Sequence, residues 1–88
     1  MSPDGAQDSL SRFVSLITLV APVPVESERI ASGTHLVDDL GLDSIMQVAL
    51  MALAEEHFGI ALSDHPTELM AIQTVGDAVG LIDRIGAR

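Results

Sequence analysis

Few side chains in this sequence are equipped for chemistry, and most of those are spaced against it. His35, His57 and His65 are too scattered for the close ligand spacing of a zinc site, and there is no cysteine to add a thiolate. They read as surface histidines. Asp38, Asp39 and Asp43 suggest calcium, but an EF-hand loop opened at Asp39 places Leu50 where the closing acid belongs. Ser44 as a hydrolytic nucleophile would need a histidine base, an oxyanion hole and a glycine-flanked turn, and no such turn surrounds it. What remains is the stretch Asp38-Asp39-Leu40-Gly41-Leu42-Asp43-Ser44-Ile45, in which Asp43 is a good helix N-cap and Ser44 a residue of the first turn.

The elements that must position this stretch can be read from periodicity. Leu10, Phe13, Val14, Ile17 and Val20 fall on one face of a helix capped by Asp8 or Ser9 and ended by Pro22 and Pro24. A long connection follows, from about Ala21 to Leu42, with one loose turn at Glu26 to Ile30 and with Leu36, Val37 and Leu40 expected as anchors against the core. Connections of this length are usually functional. Gly41 supplies the turn into a second helix, Ser44 to Phe58, ended by Gly59. A short third helix is expected around Pro66 to Met70, capped by Ser63 or Asp64. Thr74 and Asp77 form a capping pair for the last, which runs to about Ile85 with Val75, Ala78, Val79, Ile82 and Ile85 on its apolar face. The predicted fold is all-α, a small bundle of three main helices plus one short helix. Residues 8–86 are expected to form one domain behind a flexible N-terminal stretch, residues 1–7.

Eighty-eight residues suffice for one domain, and 48% of them are hydrophobic. Phe13 and Phe58 are the only aromatics, so the core must be aliphatic and is expected to be deformable. A formal charge of −9 repels phosphate backbones and anionic lipid surfaces, which argues against nucleic acid and membranes, and favours partners with basic patches. The amino terminus lacks the basic start and apolar run of a secretory signal, and no apolar stretch approaches the roughly 20 residues that span a bilayer. A cytoplasmic monomer is the expectation.

The stretch around Ser44 resembles the attachment site of the acyl carrier protein family, an Asp-Ser-Leu or close variant preceded by Leu-Gly and one variable residue. Here it reads Leu40, Gly41, Leu42, Asp43, Ser44, Ile45. The resemblance extends along the chain, through the acid pair before Leu40, Val48 and Leu50, Glu55-Glu56, Phe58-Gly59-Ile60 and Thr74-Val75. It implies an acyl-carrier-protein-like bundle that is not an enzyme. It also implies a 4'-phosphopantetheine arm on Ser44, donated by coenzyme A, whose thiol holds acyl intermediates as thioesters. The arm's installation belongs to a separate phosphopantetheinyl transferase, because the serine hydroxyl alone has neither a base nor a metal-polarised pyrophosphate. Asp43 is implied in that encounter. A phosphodiester at the start of a helix lies against unpaired amides and the positive end of the dipole, so the physical setting suits the modification.

The resemblance further implies that the helix after the serine meets ketosynthase, acyltransferase and other synthase enzymes. A helical wheel separates a core face of Leu50, Leu53, Ala54 and Phe58 from a docking face of Ile45, Val48, Ala49, Ala52, Glu55 and Glu56. Family members often carry acids two and five residues beyond the serine, where this chain has Met46 and Ala49. Either the docking stripe is aliphatic or the helix is more buried than its relatives. Ala54 stands where a larger aliphatic is common, leaving a slight rotation or a small void that admits part of a bound chain. The apolar docking helix and proline-bearing, alanine-rich periphery point to polyketide or related secondary metabolism, with fatty acid synthesis as the other acyl pathway. A peptidyl carrier of nonribosomal peptide synthesis is the nearest alternative, disfavoured by Asp43, and a non-carrier helical adaptor the more distant one.

Overall fold

Four runs of sequence supply the helices, and the chemistry at their ends fixes most of the boundaries. The computed structural model describes residues 5–22 and 24–86. They form α1 (Gly5–Val20), α2 (Ser44–Phe58), the short α3 (Pro66–Met70) and α4 (Val75–Gly86), with single 3-10 turns at Ser27–Arg29 and Leu62–Asp64. This is the expected all-α arrangement of three main helices and one short one, and the 3-10 turn after α1 is the loose turn expected there. Met1 to Asp4 of the expected N-terminal stretch lie outside the described residues, as does Val23.

Two cap assignments need correction. α1 begins at Gly5, so Asp8 and Ser9 lie within the helix and do not cap it. The apolar period starts only at Leu10, and the polar residues ahead of it leave no periodic trace. Ser63 and Asp64 do not cap α3 but sit in the 3-10 turn before it, and His65 takes the N-cap position with no side-chain bond. Pro66 is the first helical residue, where its missing amide is no loss.

Every buried side chain among the described residues is apolar. Phe13 and Ile17 from α1, Leu36 and Leu42 from the long connection, Leu50 from α2, Leu62 from the second 3-10 turn and Val75 from α4 are fully enclosed. The apolar stripes are broader than the wheels suggested. Leu16 joins the core of α1 while Leu19 is 72% exposed, and Leu81 is buried beside Ala78 and Ile82 in α4, with Val79 and Ile85 packed at its margin. At one end of α2, Arg12 donates from Nε to His57 Nε2 at 3.1 Å, and its guanidinium carbon lies 4.8 Å from the Phe58 ring centroid. This clasp ties α1 to the end of α2.

The long connection is held down by hydrogen bonds as well as by apolar anchors. Leu36 and Leu40 are buried as expected, but Val37 is 55% exposed. With Leu36 turned inward, its neighbour faces out. The backbone from His35 to Leu42 is wound tightly on itself. The amides of Asp39 and Leu40 donate to the His35 carbonyl, that of Gly41 to Val37 and that of Leu42 to Leu36, with Gly41 at φ +70° making the reversal. The preceding residues are sewn to the start of α4. Leu36 N–H donates to Gln73 O at 2.9 Å, Val75 N–H to Thr34 O at 2.9 Å and Gly76 N–H to Ser32 O at 2.7 Å, and His35 and Thr74 form an isolated antiparallel bridge. At Gly76 a Cβ would fall 2.9 Å from Ser32 O, so this close approach requires glycine.

Candidate functional site

The long connection delivers Ser44 to the first position of α2. Leu42 is fully buried and pins the backbone just before the helix. Asp43 then takes the N-cap position in extended conformation, and its Oδ1 accepts the Met46 amide at 2.9 Å. The Asp43 carbonyl accepts the Gln47 amide, and Gln47 Nε2 reaches back to Leu42 O at 3.2 Å. Among the described residues, this leaves the amides of Ser44 and Ile45 without a protein acceptor, and the Ser44 side chain is exposed. An anionic group on Ser44 therefore meets two free donors and the positive end of a helix of 15 residues. The residues present fit a phosphodiester.

A cleft opens beside the serine. It has a volume of about 410 Å³, runs between α2 and α3, and is predominantly apolar. Val48, Met51, Leu62, Leu69, Met70 and Ile72 are among its lining residues, and so is Ser44. Ala54, where a slight rotation or a small void is the expectation, is fully buried and does not line this cleft. Leu69 and Ile72 carried no functional signal in the sequence. Their roles depend on where α3 comes to rest, which no local pattern encodes.

Ile45 and Val48 are 79% and 69% exposed, and Ala49, Ala52 and Glu56 also face solvent. The aliphatic residues thus form an open stripe and are not buried in the bundle. Glu55 differs from the other five docking candidates. It is half-buried, and its Oε2 accepts the Ser63 amide at 2.8 Å. The histidines stand apart, His35 near Asp39, His57 against Arg12 and His65 near Glu68. Among the described residues no three histidines, aspartates or glutamates gather as a metal site would require.

At the start of α4, Thr74 Oγ1 accepts the Asp77 amide while Asp77 Oδ2 accepts the amides of Gln73 and Thr74, completing the expected capping pair. Those two backbone donors, Gln73 first, hold the Asp77 carboxyl below its ordinary value. Gly76, next to this box, was not marked by the sequence as positioning the site. A glycine in the first turn of a strongly capped helix was the available signal.

The family model for the phosphopantetheine attachment site matches residues 12–82, from α1 through most of α4. Such domains take the 4'-phosphopantetheine arm covalently, which supports a carrier over a helical adaptor. With that match spanning the bundle and an exposed serine at the start of α2, the chain belongs to the phosphopantetheine attachment site family and is a non-catalytic carrier.

Proposed function

We propose that Ser44 is the attachment point and that the chain is an acyl carrier. The observation that carries this reading is the position of Ser44, exposed at the start of α2, beside free amides and among the residues lining an apolar cleft. The arm supplies the thiol that the sequence lacks, and with it thioester chemistry. The protein's own residues cap the helix, offer donors to the phosphate and give an aliphatic chain somewhere to lie. Asp43 serves the transferase encounter by fixing the first turn that presents the hydroxyl.

Carriers of this family meet phosphopantetheinyl transferase and synthase enzymes. For this chain the surface we assign to them is the stripe Ile45, Val48, Ala49 and Ala52, flanked by Asp43 at one end and Glu55 and Glu56 at the other. Aliphatic surface in this position favours ketosynthase and acyltransferase partners that dock through apolar contacts, with charge at the margins. Polyketide or related secondary metabolism is the pathway this departure supports, in a cytoplasmic monomer. No helix among the described residues is long and apolar enough to cross a membrane.

Incubation with coenzyme A and a broad-specificity phosphopantetheinyl transferase, followed by intact mass, tests the assignment. A gain of about 340 Da is expected for the native chain and none for Ser44→Ala. A gain that survives Ser44→Ala would move the site elsewhere.

A further inference from the structure

Glu55 and Glu56 are adjacent acids at the end of α2, yet they are placed differently: Glu55 is half-buried and Glu56 exposed. Glu55 organises the whole turn from α2 towards α3. Its main-chain carbonyl accepts the amides of Gly59 at 2.9 Å and Ile60 at 3.2 Å, and its carboxylate spans the turn to accept the Ser63 amide at 2.8 Å. Ser63 lies in the 3-10 turn Leu62–Asp64, whose own N-cap, Ala61, provides no side-chain bond. Glu55 therefore acts as its remote cap, beside the buried pin Leu62.

The segment downstream is lightly held between the buried Leu62 and the seam at Gln73. α3 has five residues, its N-cap makes no side-chain bond, and none of its residues is fully buried. Leu69 and Ile72 pack only partly against the core, and Met70 is 87% exposed. This same segment forms the far wall of the cleft, and Glu55 lines that cleft together with Leu62 and Ser63. A short helix with so few buried contacts belongs to the part of a fold that opens most readily.

We infer that Glu55 is a positioning residue for the cleft: its carboxylate, by capping the Ser63 turn, holds the α3 wall against α2 and so keeps the apolar space beside Ser44 in shape. The carboxylate at the margin of the docking stripe is thus also engaged inside the domain. Its value for cargo rests on the carrier reading above, whereas its grip on the wall does not.

Amide hydrogen exchange on the unmodified protein tests the grip, with amides of α1 and α4 as internal reference. In Glu55→Ala, exchange across Leu62 to Met70 is expected to rise about tenfold while the reference amides stay put. Glu55→Gln keeps an oxygen acceptor and is expected to remain within about threefold of the native protein. Unchanged exchange in Glu55→Ala, or equal loosening in both variants, overturns the inference. A uniform rise that includes α1 and α4 reports global destabilisation and overturns it as well. Thioester lifetime on the loaded arm then tests the consequence. A medium-length saturated acyl group should hydrolyse several-fold faster on Glu55→Ala than on the native carrier, an acetyl group should not, and Glu55→Gln should restore the longer lifetime. Faster exchange without a change in lifetime would overturn the role of the cleft in protecting cargo, and failure of Ser44 to accept the arm would overturn the assignment of Ser44 alone.

Discussion

Alanine at position 76 should damage the frame that carries Ser44, although alanine is the better helix former. Its Cβ would fall 2.9 Å from Ser32 O and 3.1 Å from Ser32 Cβ. The carbonyl belongs to the backbone and already accepts the Gly76 amide at 2.7 Å, so it cannot move aside without lengthening that bond. Forcing an extra methyl into a closed contact costs about 1–3 kcal/mol, and weakening one hydrogen bond adds roughly 1 kcal/mol. Helix propensity returns up to about 1 kcal/mol. The expected balance is a loss of about 2 kcal/mol, or a melting temperature lower by roughly 10 °C in a domain of this size. Gly80 is the matched control on the same helix, because a Cβ added there would meet nothing within 4 Å. Gly80→Ala should therefore stabilise, by about 0.5–1 kcal/mol. Urea denaturation followed by far-ultraviolet circular dichroism measures both. If Gly76→Ala is neutral, or shifts the midpoint upward as Gly80→Ala does, the seam between the long connection and α4 is not the tight backbone contact described.

Two further outcomes follow from the surface chemistry. Binding to a cognate synthase partner should weaken by less than about threefold as salt rises from roughly 0.05 to 0.5 M, because the exposed stripe on α2 is aliphatic, and a loss of tenfold or more would refute it. Asp77 gives a pH dependence of defined sign. Its carboxyl is held below the ordinary value of 3.8, so its contribution to stability is complete above that value and is lost as pH falls through the lower, folded-state value. The urea-midpoint difference between native protein and Asp77→Asn should stay constant from about pH 7 to pH 5 and close under strong acid, and a difference that widens on acidification would contradict this.

The parts of the fold legible in the sequence were those written locally. Asp43 capping α2, Gly59 closing it in the left-handed conformation, and Thr74 with Asp77 opening α4 each involve residues within a few positions of one another, where residue type nearly dictates geometry. The wheel of α2 likewise separated Leu50 and Ala54 from the exposed Ile45 and Val48. What could not be read depended on distant segments meeting. Arg12 finds His57, Thr34 pairs with Val75, and Glu55 reaches Ser63, none of which leaves a periodic mark. Leu16 and Leu19 make the same point within a single helix: one is buried and the other 72% exposed, and only the placement of neighbouring elements decides which. At the candidate site, the serine and its cap were legible because they are contiguous. The cleft beside them was not, since it exists only once α3 has been placed.

The seam between Ser32 to Leu36 and Gln73 to Gly76 also orders events in time. The two sides of this contact are separated by about forty residues, so forming it closes a long loop, a slow and entropically demanding step for so small a helical protein. During synthesis, the carbonyls of Ser32 and Thr34 and the amide of Leu36 lack their partners across the seam until the ribosome has released the chain through Gly76. The serine is thus made early and framed late. A chain broken off before α4 still contains the complete stretch from Asp38 to Ile45, yet lacks the backbone partners that hold the connection feeding it. Three backbone hydrogen bonds thus make the framing of the connection before Ser44 depend on a helix that is synthesised after it.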